Sequence, residues 1–423
     1  MRLNKLTLVN FRGVARLELD FLQQTTLLVG VNGVGKSAIL DALAIAFSQL
    51  AWRINENPNK SRPIAGGDLK VGERHASITV ETQFLGQALT WRLAYNKGGL
   101  PRGIPDLASK LDELNETVKT LHQTWSHVEE ERQEPFNLPL VVYYDVHRAV
   151  VETPMRVREQ MMHNPFEAYR DALDHGGADF KRFFIWFRNR EDWENELRRD
   201  DPKFRDPFLA AVHAATEALT GFTNMRIRRN PLRMTVEKNG LELEIAQLSD
   251  GEKCLLALVG DLARRLALLN PGLDRNPLEG EGIVLIDEID LHLHPKWQRE
   301  IVPRLERIFP NCQFVVSTHS PQILSHVKAD QVWLLRQESD GLRAFHPQVT
   351  FGLDSSRLLE DVMEVPQREP TVEAALDQLF RMIEEGRLSE VRNLLTSLKQ
   401  RAPGVPEYAR AEALLKRKEV IGR

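Results

Sequence analysis

Apolar and polar positions change rhythm along this chain, and each change marks an element. Leu3, Leu6, Leu8 and Val9 lead into Asn10-Phe11-Arg12-Gly13, and Leu17, Leu19 and Phe21 then alternate with polar neighbours, so residues 1–29 read as strands. The last of these, Thr26-Leu27-Leu28-Val29, is an apolar run and reads as a buried strand. From Ser37 to Phe47 the rhythm becomes helical. Residues 52–75, rich in Asn, Pro and Gly, read as a surface loop, and residues 76–95 as two antiparallel strands. Apolar positions at 107, 111, 114, 118, 121, 125 and 128 form an a/d stripe within an inserted helical segment spanning about 106–134. The stripe suits packing on its own domain and pairing with another helix equally well.

Residues 138–151 form another buried strand, ending in Asp145, His147 and Arg148, which suit the rim of a ligand crevice. A mainly helical lobe follows, about 152–224, with Phe183, Phe184, Trp186, Phe187 and Trp193 set among charges; that spacing favours core over a base-stacking platform. Arg226, Arg228, Arg229 and Arg233 make a basic cluster that could face DNA or a protein partner; the better reading is the polar face of a strand carrying Met225 and Ile227. Met234, Val236, the Asn239-Gly240 turn, Leu241, Leu243 and Ile245 spell a hairpin. A helix over 249–269 and buried strands at Gly282–Ile286 and Phe314–Thr318 follow.

The remainder is helical. Residues 354–364 read as one helix; Val372, Ala375, Leu376, Leu379, Phe380 and Ile383 mark a second, and Leu388, Val391, Leu394, Leu395 and Leu398 a third. Prolines at 366, 370, 403 and 406 punctuate them. The expected organisation is a large α/β domain, residues 1–352, and a small all-helical domain, residues 353–423.

Bulk composition narrows the function classes. With 423 residues, 42% hydrophobic, 27% charged and a net charge of −4, the chain is an ordinary globular protein rather than a DNA-coating one. Cys254 and Cys312 lack metal-ligand spacing and suit a reducing compartment. With neither a signal-peptide pattern nor a run of 18 apolar residues, the expectation is a cytoplasmic protein without a membrane partner.

The chemistry sits at the ends of the buried strands. Gly30-Val31-Asn32-Gly33-Val34-Gly35-Lys36-Ser37 matches G-x-x-x-x-G-K-[ST], between a strand and a helix. Glycines turn backbone N–H groups towards a polyphosphate, and the helix N-terminus adds positive charge. Asn32, Gly33, Gly35, Lys36, Ser37 and Ala38 are therefore the candidate phosphate contacts, with Ser37 also a candidate Mg2+ ligand. Arg12, at a turn ahead of this loop, is a candidate nucleotide contact; a surface turn arginine explains it equally. Asp287-Glu288 closes the strand Gly282–Ile286: Asp287 suits Mg2+, and Glu288 suits the base that deprotonates an attacking water. His319, after Phe314–Thr318, suits donation to a departing γ-phosphate. His292 and His294 form a His-x-His, for which a structural or dimer-contact loop is the better reading than a metal site.

Together, GVNGVGKS, LSDGEK, IVLIDEIDLHLHP and STHSP resemble the ATP-binding-cassette (ABC) ATPases of the RecF/SMC/OLD type, as does Asn10-Phe11-Arg12-Gly13. The resemblance implies a P-loop NTPase head with a mixed sheet and an inserted helical lobe, using ATP and Mg2+. It also implies homodimers that sandwich nucleotide, with Ser249, Gly251 and Glu252 reaching the γ-phosphate held by a second copy's Lys36. Asp250-Gly251-Glu252 departs from the Gly-Gly-Gln of transporter-type signatures. The strand ending YYDVHR, the stretch IDEIDLHLHPKWQR and the helical tail narrow the resemblance to the PtuA-type ATPases of Septu and some retron antiphage systems. That implies an ATPase subunit, without a nuclease domain of its own, whose tail docks an HNH-type nuclease; a retron reverse transcriptase complex is a further partner to consider. The rival readings are a DNA-repair ATPase acting directly on DNA, and a transporter's nucleotide-binding domain.

Overall fold

Alternation at the amino terminus produces a hairpin, β1 (Arg2–Phe11) and β2 (Val14–Asp20), turned at Arg12-Gly13. The run that follows becomes β3 (Thr25–Val29), buried at every position. β4 (His75–Phe84) pairs with β1, and β5 (Gln87–Asn96) with β4, giving an antiparallel sheet in the order β2-β1-β4-β5. This computed structural model describes residues 1–55, 61–99, 107–131, 137–146, 165–174, 180–273, 276–339, 341–363 and 369–421. The contacts divide the chain into two units, Met1–Leu353 and Asp354–Arg423.

The first unit is centred on a six-stranded sheet. β6 (Leu140–Tyr144) is followed by a small sheet of β7 (Thr223–Arg229), β8 (Leu232–Lys238) and β9 (Leu241–Glu244). Then come β10 (Gly282–Ile286), β11 (Cys312–Thr318), β12 (Val332–Glu338) and β13 (Gly341–Phe345). The central order is β13-β12-β3-β11-β10-β6, parallel except for edge strand β13. Strands covered on both faces are apolar runs without alternation, and β3, β6, β10 and β11 are buried throughout. Gln313 on β11 ties the two sheets together. Its side-chain oxygen accepts from the Leu3 N–H at 2.7 Å, and its amide donates to the carbonyls of Leu3 and Phe21, both at 3.0 Å.

Helix α1 (Lys36–Asn55) is apolar and long enough to cross a membrane, but 78% of that stretch is buried inside the protein, so it is a core helix. Its Ala46 carbonyl accepts from Trp91 Nε1 at 3.1 Å. Helix α2 (Asp112–Glu131) packs on α1 and β5 and buries Leu114, Val118 and Leu121 there. That part of the a/d stripe meets its own domain.

In the helical lobe, α3 (Phe180–Leu197) buries Phe183, Phe184, Trp186 and Phe187 as core. α4 (Pro207–Thr220) has an Asp206 N-cap, proline at its first position and Gly221 in the left-handed C-cap. The residues of the lobe at 152–164 lie outside the described ones. α5 (Asp250–Leu269) packs against α3 and α4, and Gly260 leaves room for the Phe183 ring, which a Cβ would meet at 2.9 Å. α6 (Pro295–Ile308) follows β10.

The second unit begins with a short helical run capped by Asp354 and continuing through Val362. Three helices follow: α7 (Pro370–Glu384), α8 (Leu388–Arg401) and α9 (Glu407–Ile421). They bury Leu379, Ile383, Val391, Leu398, Tyr408 and Ala411 among themselves in a core of their own. α9 is an element the apolar spacing did not announce.

α5 carries a fully buried ionic cluster. Asp261 accepts from Arg264 Nη2 and Arg265 Nε, both at 2.7 Å, and from the Tyr144 hydroxyl of β6 at 3.1 Å. Burial opposes ionisation of Asp261, but the two guanidinium groups outweigh it and hold the carboxyl below its usual range. Asp261→Ala would leave two buried guanidinium groups without their carboxylate. It is expected to cost about 3–5 kcal/mol in urea unfolding, against about 1 kcal/mol for Tyr144→Phe, which removes one hydrogen bond.

Candidate nucleotide-binding site

Because β3, β6, β10 and β11 run parallel, the loops leaving their carboxyl ends meet at one edge of the sheet. The phosphate loop leaves β3 there. Gly30 is compelled by close approach, since a Cβ would stand 2.6 Å from the Leu335 carbonyl of β12. Gly33 and Gly35 hold φ of +78° and +117°, which side chains resist. Asn32, Gly33 and Ser37 are exposed, Ala38 is half-buried, and Lys36 opens α1 with its side chain nearly covered. The Lys36 ammonium donates to the carbonyls of Gly30 at 3.0 Å and Val31 at 3.1 Å. Burial pushes its pKa down, against the opposing pull of Asp287, Glu288 and Asp290.

The acidic turn is held by the strand that lies between β3 and β10. Ser317, near the end of β11, donates its hydroxyl to Asp287 and accepts from the Glu288 N–H at 2.7 Å. Glu288 sits at φ +46°, an unusual conformation for a residue with a side chain, and the Ser317 contacts stabilise it. Asp290 then gathers the next loop: it accepts from the Thr318 hydroxyl at 2.6 Å and the His319 N–H at 3.4 Å. Gln298 on α6 completes the bracing, donating to the Leu293 carbonyl and accepting from the Ser320 hydroxyl, both at 2.8 Å. Ser317, Asp290 and Gln298 were not singled out in the sequence; a hydroxyl closing an apolar strand and a third acid in Ile286-Asp287-Glu288-Ile289-Asp290 were the available signals. Asp145 follows Tyr144 on the neighbouring strand end, buried, while His147 and Arg148 lie outside the described residues.

This donor set fits Mg2+ with a nucleotide. A hydroxyl at a helix start and a buried carboxylate across the sheet are hard oxygen ligands, and Mg2+ keeps water and phosphate for its remaining positions. Ser37 and Asp287 would hold the ion, which would supply positive charge beside the phosphates.

The signature turn is built differently. Ser249 is the N-cap of α5 and forms a capping box with Glu252: the Ser249 N–H and hydroxyl donate to Glu252 Oε2 at 3.0 and 2.9 Å. Gly251 packs on the turn after the acids, where a Cβ would meet the His292 carbonyl at 2.3 Å. The polar contacts of Ser249 and Glu252 run to each other and to Lys238 on β8. His294 caps α6, its Nδ1 accepting from the Lys296 N–H at 3.2 Å. Arg12 is committed to acids, with Asp41 on α1 at 2.6 Å and Asp68 at 2.9 Å.

The arginine cluster is neutralised within the fold. Arg226 and Arg228 pair with Glu242, Arg229 with Glu191 and Asp192, and Arg233 with Glu244. A groove of about 880 Å³ beside it, between α3, α4 and β7, is rimmed by several of these paired charges.

Fold and site define an α/β P-loop ATPase, with a helical lobe inserted and a helical unit after it in the chain. Two AAA families match the chain: the AAA ATPase domain over residues 1–134, and over residues 129–325 the AAA domain described with the AbiEii toxin of type IV TA systems. Retron Ec83 probable ATPase of Escherichia coli is 34% identical, covering 88% of this chain and 77% of that protein. Retron Vc95 probable ATPase of Vibrio cholerae serotype O1 biovar El Tor is 30% identical, covering 87% and 80%. Septu protein PtuA of Bacillus thuringiensis is 23% identical, covering 88% and 87%. The chain belongs to the family of the retron probable ATPases.

His319 offers a direct check of the site's electrostatics. Burial and then the nearby Lys36 charge push its pKa down, outweighing Asp290, Glu288 and Asp287. An NMR titration is expected to place the His319 pKa below the usual 6.5, and Lys36→Ala to move it upward. A downward move on losing Lys36 contradicts this arrangement.

Proposed function

We propose that this chain is the ATP-binding and ATP-hydrolysing regulatory subunit of an antiphage defence complex. In this reading it forms nucleotide-sandwiched dimers or larger assemblies that control a separate HNH-type nuclease. The observation that carries the ATPase part is the gathering of Lys36, Asp287, Glu288, Asp290 and His319 at one sheet end, each braced by named contacts. The defence part is supported by the retron and Septu relatives and by a self-contained helical unit at residues 354–423 suited to docking a partner.

Binding starts with the loop N–H groups and Lys36 around the phosphates. Glu288 takes the proton of the attacking water, and Lys36 and His319 donate to the γ-phosphate as negative charge moves onto it. Ser249 and Gly251 complete the site of a second copy. The cytoplasm is the proposed compartment. The DNA-repair reading is the alternative; it requires a free basic face, and the arginine cluster is spent on its own acids.

Two substitutions separate binding from chemistry. Lys36→Ala is expected to lower kcat/KM for ATP by on the order of 10²–10³, with ATP binding lost in calorimetry. Glu288→Gln is expected to keep ATP affinity within about threefold while phosphate release slows by about 10²–10⁴. Wild-type turnover by Glu288→Gln removes Glu288 as the base. Copurification from the native host separates the partner readings: an HNH nuclease at fixed stoichiometry supports the defence assignment, whereas DNA alone, lost as salt rises, replaces it with the repair reading.

A further inference from the structure

The signature turn carries two acids where a phosphate is proposed to arrive, and each has a lysine. Asp250 is exposed and lies 3.5 Å from Lys253 one turn along α5, a solvated pair of little consequence. Glu252 is different, because its carboxylate is buried. One oxygen takes both donors of Ser249, and the other takes the ammonium of Lys238.

Lys238 comes from outside the helix. It is the last residue of β8, opposite Leu241 on β9, and the turn between them is fixed by Asn239 and Gly240 at φ +52° and +77°. The path from Lys238 to the signature is therefore a tight hairpin followed by a short helical turn, Ile245–Gln247, with Leu248 buried before Ser249. Burial works against ionisation of Glu252, yet Lys238 and Ser249 outweigh it and hold the carboxyl below its usual range.

We propose that Lys238 is a charge-balancing positioning residue of the signature surface, required for that surface to accept the γ-phosphate of nucleotide carried by a second copy of the chain. The proposal rests on the sandwiched-dimer reading above. A transporter-type signature has a neutral glutamine at the position of Glu252 and faces no such problem. Here an unbalanced carboxylate would repel the phosphate and keep the Ser249 hydroxyl for itself. With Lys238 on the far oxygen, the negative charge is matched, and turning the Ser249 hydroxyl from Glu252 towards an arriving phosphate costs less.

The test is ATP-dependent self-association, read by light scattering on the full chain. The variants are Lys238→Met, Lys238→Arg and Lys238→Met with Glu252→Gln, with ATP binding by each measured in parallel. Lys238→Met is expected to weaken association about tenfold or more, while binding at the phosphate loop stays within about twofold of wild type. Lys238→Arg keeps association, and the double variant regains most of it, which loss of mere hairpin packing would not allow. Wild-type association by Lys238→Met, or a double variant as impaired as the single, overturns the proposal. If the wild-type chain binds ATP without associating, the sandwich reading falls and takes this proposal with it. That pattern is distinct from association that ignores Lys238.

Discussion

One hydroxyl fixes the acidic half of the site to the strand that borders the phosphate loop's own strand. Ser317 stands on β11, between the strand that feeds the phosphate loop and the strand that ends in acids, and it bonds both Asp287 and the Glu288 N–H. The strand order makes this possible: with β10 directly beside β3, the acids would crowd the lysine, and nothing would brace the Glu288 turn. The interposed strand also ends at Thr318 with His319 directly after it, so the same element places the histidine beside the acids. Gln313, four residues earlier on β11, anchors the amino-terminal sheet. The geometry of the site thus hangs on a single buried strand.

Charge explains why the arrangement suits a polyphosphate. Lys36 lies among carboxylates yet has its pKa pushed down by burial, so a ligand bringing negative charge gains more there than it would in water. The same burial disfavours a charged His319 and leaves it free to take part as a neutral group. The arginines of the 226–233 cluster are paired with acids of the fold. A net charge of −4 is thereby compatible with a strongly anion-directed site.

The glycine loop, the buried strands and the acid pair were legible because each depends on local rules: φ at Gly33 and Gly35, burial on both faces, polar residues at strand ends. Ser317 and Asp290 were not, since their roles come from contacts between strand ends about thirty residues apart in sequence. The arginine cluster, whose preferred reading was the polar face of a strand, shows why that reading holds. Residues 226–233 look basic until Glu191, Asp192, Glu242 and Glu244 fold against them. Periodicity showed that Leu114, Val118 and Leu121 share a face, but only the fold shows that they meet α1 and β5. α9 escaped because Tyr408, Ala411 and Leu415 are few apolar anchors among many charges.

The helix that begins at the signature and the strand that ends at the acids are linked below the surface. Tyr144 accepts the Asp287 N–H at its carbonyl, 2.8 Å, and gives its hydroxyl to Asp261 in the middle of α5. At the upper end, Gly251 lies against the His292 carbonyl, with no space for a side chain. α5 is thus pinned at two heights to the element that carries Asp287 and Glu288. In the proposed nucleotide sandwich the acids would act on a chain's own ATP and the signature on the ATP of the other copy. Under that proposal a displacement at one site would carry to the other, because packed elements shift together rather than deform independently. The contacts that build the acidic turn therefore also fix the start and the middle of the signature helix beside it.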